Sequence, residues 1–251
     1  MLSACIVSYN SKNQMGPTLE SLKHSQRPVK VYVVDNASPD QSAQWVKENA
    51  PWVTLIESKE NKGFGAGNNM VLPYLESKYH VLVNPDVTFE KDLLGRMVDY
   101  MDNHPETVIL TPKVLNPDGT EQFLPKKEIS VHYLLGGRLE RLGDPFKRWR
   151  TEYTLRGEKV IKPQPVDFAT GCFLLIRTEA FKKLKGFDER FFLYQEDSDL
   201  SKRAKALGEI TYHPDFTVTH QWARENTKTL KGNLRQIHSM IKYFGKWGWR
   251  W

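Results

Sequence analysis

Apolar runs of three to eight residues alternate with polar stretches at helical spacing through the first half of the chain. Leu2 to Tyr9 is apolar and ends at Asn10, while Val29 to Val34 is β-branched and is stopped by Asp35-Asn36-Ala37-Ser38-Pro39-Asp40. Trp52 to Glu57 and Val81 to Val83 repeat the pattern, the last run ending at Asn84-Pro85-Asp86. Helices are predicted over about 14–24 and 41–48, from Gly63 toward Glu76, and over Phe89 to Tyr100. Strand, loop and helix in alternation predict a mostly parallel sheet with crossover helices on both faces. Such sheets bind ligands at the carboxyl ends of their strands. Polar residues gather at those ends: Asn10, Asp35-Asn36, Asn61 and Asp86.

The pattern lapses from Phe123 to Pro165, where ten basic residues face five acidic ones. A long, partly helical, mobile insertion is expected there. Val166 to Arg177 then reads as a strand, Thr178 to Leu184 as a short helix, and residues up to about Leu207 as another. A strand near Glu209 to His213 and a strand pair spanning Thr211 to Thr219 close the domain. At 251 residues, one large α/β domain or two small ones fit the length.

Composition changes the picture in one place. The segment Arg224 to Trp251 holds seven basic residues and one acidic, which is the whole net charge of +6. A local anionic partner is implied: a nucleotide, a phospholipid surface or nucleic acid. No recognition motif supports nucleic acid. Cys5 and Cys172 lie in apolar runs and read as buried thiols rather than a disulfide or metal pair. No basic leader with a cleavage site precedes the first strand, and no apolar run approaches the roughly 20 residues of a membrane span. The expectation is a cytoplasmic protein.

Chemistry concentrates in Gly186-Phe-Asp-Glu-Arg-Phe-Phe-Leu-Tyr-Gln-Glu-Asp-Ser-Asp-Leu200, with four aromatics and five acidic side chains in fifteen residues. Carboxylates among aromatics are costly unless they bind cations, accept hydrogen bonds or move protons. Acidic residues in a first helical turn are favoured by the dipole. That accounts for one of Glu196, Asp197 and Asp199; another is free to act as a general base. Asp35 suits a nucleobase or ribose contact, or an Asx-type turn before the next helix. Asn61-Lys62-Gly63-Phe64-Gly65-Ala66-Gly67-Asn68-Asn69 lacks the spacing of a dinucleotide loop, yet offers backbone N–H groups to phosphates, or a plain turn. Asp86 suits a diphosphate-bound Mg²⁺ or Mn²⁺, which needs only one or two protein carboxylates, or caps a helix. His220 adds a nitrogen ligand or is an ordinary polar residue.

Together these residues resemble glycosyltransferase family 2, in register from Ile6 to about His220. Val7-Ser8-Tyr9-Asn10 is similar to its opening motif, Asp35-Asn36-Ala37-Ser38-Pro39-Asp40 to its D-N-x-S-x-D turn, and Asn61 to Asn69 to its N-x-G-F…N loop. Asn84-Pro85-Asp86 resembles its degenerate metal motif, and Gly186-Phe187-Asp188-Glu189 with Glu196-Asp197 its acceptor-side motif. The last two most resemble the rhamnosyltransferase-like branch, which builds bacterial surface polysaccharides. The resemblance implies a GT-A fold, Rossmann-like and mostly parallel, and an inverting mechanism. Ser8, Tyr9, Asn10, Asp35, Asn36, Asn61, Gly63, Phe64, Asn69 and Asp86 then line the nucleotide. Asp86, with His220, holds Mg²⁺ or Mn²⁺; Asp197 is the base; Tyr194 and Glu196 meet the acceptor.

The implied reaction moves a sugar, L-rhamnose from dTDP-rhamnose, onto a lipid-linked or growing polysaccharide. A UDP-sugar donor (galactose or N-acetylglucosamine) is the alternative within the fold. A non-catalytic sugar-nucleotide-binding protein is the alternative outside it, and the intact Asp86 and Glu196-Asp197 argue against that. The sequence departs from many relatives at Gln221-Trp222-Ala223-Arg224, where a Gly and Ser commonly follow the late His, and at Gln195, where a small residue is common. The domain is expected over 1–222, divided into a nucleotide-binding half (1–115) and an acceptor-binding half (116–222, including the insertion at 123–165).

Residues 223–251 form a basic aromatic tail. Leu230, Leu234, Ile237, Ile241 and Phe244 recur at helical spacing beside Lys231, Arg235, His238, Lys242 and Lys246, and the chain ends Trp247-Gly-Trp249-Arg-Trp251. An amphipathic helix is predicted, either docked at the inner face of the cell membrane or packed on the domain with its Lys stems around the edge. Membrane docking suits a lipid-linked acceptor.

Overall fold

A computed structural model describes residues 1–124, 127–221 and 230–251. The boundary expected at 222–223, the Trp222-Ala223-Arg224 departure and the side chains of Leu230 and Lys231 lie outside the described residues. The first half runs β1 (Leu2–Ser8), α1 (Met15–Lys23), β2 (Val29–Asp35), α2 (Ser42–Asn49), β3 (Thr54–Glu57), α3 (Phe64–Asn69), β4 (Tyr79–Val83), β5 (Val87–Phe89), α4 (Leu93–Asn103) and β6 (Thr107–Leu115). The second runs α5 (Val131–Leu139), α6 (Phe146–Tyr153), β7 (Gln164–Pro165), β8 (Phe173–Arg177), α7 (Thr178–Lys183), α8 (Glu196–Ala204), β9 (Glu209–His220) and α9 (Leu230–Trp247).

The strands form one mixed sheet in the order β3-β2-β1-β4-β8-β6-β9-β5, with β7 added beside β9. The first four strands are parallel, and β8 runs antiparallel between β4 and β6. Every residue of β1 is buried. Successive side chains of a strand point to opposite faces, so a sheet covered on both sides reads as an unbroken apolar run. Leu2, Ala4 and Ile6 accordingly enter one core, and Cys5 and Val7 the other. Both thiols are free and buried, as expected.

Several elements differ from the sequence expectation. The helix expected from Phe89 starts at Leu93, and Val87–Phe89 is a strand, because it pairs antiparallel with the end of β9. The α3 helix ends at Asn69 rather than running toward Glu76, and β8 begins at Phe173 rather than Val166. The two late strands are one, β9, whose register against β6 shifts between Pro112 and Lys113. The insertion is partly helical, as expected, with α5 and α6 packed together: an added Cβ at Gly136 would lie 2.9 Å from the Arg150 backbone nitrogen.

The tail forms α9 and packs on the domain, but through a different face from the aliphatic one. Tyr243 and Phe244 join Ile129, Tyr153 and Phe191 in a third core, with Trp247 against it. Leu234, Ile237 and Ile241 remain 58%, 40% and 53% exposed. The helix therefore has one face against the protein and an aliphatic row facing out.

Candidate functional site

Ser8 and Asp35 are register partners at the carboxyl ends of β1 and β2, which sets their side chains on the same face. Asp35 Oδ2 accepts from the Ser38 N–H at 3.1 Å, so the Asx-type turn is present. Its Oδ1, and Ser8 Oγ, are buried with no hydrogen-bond partner among the described residues. An unsatisfied buried acceptor costs about 1–3 kcal/mol, which a ligand donor would recover. Asn10 sits at φ +58° and its N–H donates to Ser38 Oγ at 3.2 Å, while Tyr9 stands half exposed beside it.

Asn36 is buried and works on the protein itself. Its Nδ2 donates to Asn61 Oδ1 and to the Gly63 carbonyl, both at 3.0 Å, and its Oδ1 accepts from the Lys62 N–H. This lock shapes the turn into α3. Gly63 has φ +89°, and a Cβ there would lie 2.0 Å from the Phe192 carbonyl oxygen, so only glycine fits. That carbonyl accepts from the Phe64 N–H at 3.1 Å. Asn69 is spent in the same direction. Its Nδ2 donates to the Phe187 carbonyl and Glu189 Oε1, and its Oδ1 accepts from the Phe187 N–H. Both asparagines therefore fasten the glycine loop, and Asn69 fastens it to the acidic segment.

The β5–β9 pairing sets Val87 opposite His220, which brings Asp86 to the imidazole. His220 Nε2 lies 3.3 Å from Asp86 Oδ1, and its Nδ1 lies 3.1 Å from Gln122 Oε1. Burial pulls the imidazole pKa down, but the neighbouring Cys172 and Asp86 outweigh it and raise it to about 10. Among the described residues no cluster of three or more His, Cys, Asp or Glu forms a ready cation cage. The Asp86 carboxylate fits a hard cation that arrives with phosphate oxygens, since such a cation takes few protein ligands, and His220 could join it only after losing its proton.

The segments that carry Asp86 and Asp197 both bond to the turn before β8. The Asn84 N–H donates to the Cys172 carbonyl at 2.8 Å, and the Gly171 N–H donates to Asp197 Oδ2 at 3.3 Å. Phe64 covers Gly171 from the other side, where a Cβ would lie 2.9 Å from its ring. Residues 61–64, 84–86, 171–172 and 192–197 are thus contiguous. Tyr194 and Gln195, both with positive φ (71° and 69°), deliver Glu196 and Asp197 to the start of α8. Such backbone costs about 1–3 kcal/mol per residue and persists where the surroundings over-determine it. Glu196 is buried with Oε2 unpartnered among the described residues. Burial, and then the adjacent Asp197 carboxylate, push its pKa well up, which favours its protonated form. Burial and Glu196 also raise Tyr194.

The sequence reading passed over the Gly171-Cys172 turn and the Phe192 carbonyl, since backbone groups leave no residue-type signal. It also gave Asp199 no role beyond membership of the first-turn acidic cluster, whereas Asp199 is fully buried. A neighbouring cleft of 640 Å³, lined by Lys127, Gln164, Asp167, Lys205 and Glu209 among others, contains none of the motif residues.

Residues 3–185 match the family model Glycosyl transferase family 2. An N-acetylglucosaminyl-diphospho-decaprenol L-rhamnosyltransferase of Mycobacterium tuberculosis (strain ATCC 25618 / H37Rv) is 28% identical, over 97% of this chain and 83% of its own. Rhamnosyltransferase WbbL of Escherichia coli (strain K12) is 24% identical, over 98% of this chain and 93% of its own. Among solved structures, the mannosyltransferase PcManGT from Pyrobaculum calidifontis in complex with GDP-Man and Mn²⁺ aligns with a TM-score of 0.64 at 16% identity. The alignment covers 98% of this chain and 63% of that one, so this chain spans less than two thirds of PcManGT. At that identity the likeness concerns the fold, which is the GT-A arrangement. With most of its length under the family model and its curated relatives named as sugar transferases, the chain belongs to glycosyl transferase family 2, among its rhamnosyltransferase-like members, and is a glycosyltransferase.

Proposed function

We propose that the enzyme transfers L-rhamnose from a dTDP-linked donor to a lipid-linked glycan, with inversion at the anomeric carbon. The names of the two curated relatives support the sugar, and that of the mycobacterial one supports a polyprenyl diphosphate-linked acceptor. The observation that supports the reading is the turn at Gly171-Cys172, which bonds Asp197 through the Gly171 N–H and, through the Cys172 carbonyl, the Asn84 end of the segment that carries the Asp86–His220 pair.

Asp35 and Ser8 take the nucleoside end of the donor through their unsatisfied oxygens. Asp197 accepts the proton of the acceptor hydroxyl as that oxygen attacks the anomeric carbon. The new C–O bond forms on one face, the bond to the diphosphate breaks on the other, and the electron pair leaves with the diphosphate. Glu196, protonated, keeps a second negative charge away from Asp197. Asp86, with His220 beside it, would hold a divalent cation, Mg²⁺ or Mn²⁺, whose chemistry is to neutralise charge on the departing diphosphate; the neighbour bound to Mn²⁺ supports this choice. Holding two substrates in line supplies much of the remaining acceleration.

No helix among the described residues is long and apolar enough to cross a membrane. The exposed Leu234, Ile237 and Ile241, spaced three and four residues apart with Arg235, His238 and Lys242 alongside, support docking of α9 on an anionic phospholipid surface. Trp249 and Trp251 are exposed at its end, where indoles suit an interface.

Asp197→Asn should abolish transfer while melting temperature and nucleotide binding stay at wild-type values. Full activity in that variant removes the base assignment. Thermal-shift comparison of dTDP and UDP tests the donor: stabilisation by dTDP is expected, and stabilisation by UDP alone replaces rhamnose with a UDP-sugar.

A further inference from the structure

Beside the bonds from Asn69 and Arg203, α9 holds the acidic segment at several points. Ser239 Oγ donates to the Leu193 carbonyl at 2.8 Å, and Lys242 Nζ donates to the Arg190 carbonyl at 2.7 Å. The Arg235 guanidinium lies over the Phe192 ring, 5.0 Å from its centroid. Phe191 is buried among Tyr243 and Phe244. Lys246 Nζ bridges Asp188 at 2.7 Å and Asp199 at 2.5 Å, and Trp247 Nε1 donates to the same Asp199 oxygen at 2.9 Å. Arg203 Nε takes the other Asp199 oxygen at 2.7 Å.

Asp199 lies on the first turn of α8, two residues beyond Asp197. Its carboxylate is completely buried, and a buried charge is retained only with excellent geometry and full pairing. Two of its three partners come from α9. Between the Leu193 carbonyl and Asp199 stand Tyr194 and Gln195, the two residues in left-handed backbone. A segment whose backbone resists its own conformation is thus gripped at both ends by one helix.

We infer that α9 is the positioning element of the acceptor-side carboxylates, with Ser239 fixing the approach to Glu196-Asp197 and Lys246 and Trp247 fixing the helix turn that bears them. The inference rests on the reading of Asp197 as base and adds a role to a helix outside the matched family region. These side chains touch neither substrate; they act through the Leu193 carbonyl and Asp199. Misplacing a reacting group by about 1 Å can cost on the order of a hundredfold in rate, so loss of one grip should register as lost turnover.

The test is steady-state kinetics on full-length Lys246→Met, Lys246→Arg and Ser239→Ala, with calorimetric nucleotide binding and melting temperature on each. Lys246→Met should lower kcat by about tenfold or more, with donor KM and nucleotide affinity within about twofold of wild type. Lys246→Arg should restore most of the turnover. Ser239→Ala, which removes one hydroxyl, should lower kcat by a few-fold on the same pattern and reports even where Lys246→Met fails to fold. Wild-type kcat in the folded variants overturns the inference, as does an equal loss of donor affinity and kcat. Asp197→Asn separates the two layers. An active Asp197→Asn sinks the base assignment, whereas an inactive one beside wild-type Ser239→Ala and Lys246→Met sinks only the positioning role.

Discussion

Replacing Asp188 by asparagine removes one end of the bridge between the acidic segment and α9. Burial alone would push this carboxyl up, but hydrogen bonds from Lys246 and from the Arg190 backbone and side chain outweigh it. They pull its pKa from 3.8 down to about 2. The side chain is 18% exposed, so solvent screens the interaction only modestly. A fall from 3.8 to about 2 corresponds to about 2 kcal/mol of folding free energy at neutral pH. The folded pKa is depressed, so this contribution is fully present above the unfolded value and is lost as pH falls through the folded one. Roughly half should remain at about pH 3. Urea unfolding of wild type and Asp188→Asn, followed by tryptophan fluorescence at several pH values, measures it. The difference between the two proteins should be about 2 kcal/mol near neutrality and should shrink steadily below about pH 4. A difference that is absent at neutral pH, or that does not change with acidification, refutes the bridge.

Gly63→Ala places a Cβ against the Phe192 carbonyl in a backbone region that L-residues avoid, so it should cost about 2 kcal/mol or more by chemical denaturation and reduce transfer. A stable, active variant would mean the two loops do not touch. Asp86→Ala should abolish the dependence of nucleotide binding on divalent cation, read by calorimetry with and without EDTA; unchanged dependence removes Asp86 from the cation site. Ile237→Glu with Ile241→Glu should release the protein from anionic liposomes in co-sedimentation, because each apolar side chain taken out of lipid loses about 2 kcal/mol. Equal pelleting of variant and wild type dismisses membrane docking.

The first half of the chain was largely legible because its central strands are buried on both faces and write themselves as unbroken runs, with Asp35 and Asp86 at their ends. What was hidden depends on contacts between distant segments. The Asp86–His220 corner exists because Val87–Phe89 pairs with β9, and three residues after a proline carry no sign of that partner. For α9, apolar spacing groups Leu230, Leu234, Ile237, Ile241 and Phe244, of which Phe244 packs on the domain while Leu234, Ile237 and Ile241 face out. The face that packs also bears Ser239, Tyr243, Lys246 and Trp247, because its counterpart is a carbonyl, a buried carboxylate and a phenylalanine. The expectation of a helix either docked on lipid or packed on protein treated as exclusive what two faces of one helix can combine. Asn36 and Asn69 were read toward a ligand from a strand-end position and from motif resemblance; their amides are occupied in bonds that build the loops themselves.

The missing side chain at Gly63 has a mechanical meaning. Through the Phe192 carbonyl, the loop at 61–64 and the stretch of chain leading to Tyr194 are one part rather than two. A displacement of either is passed to the other with no hinge between them, so neither loop can be remodelled alone.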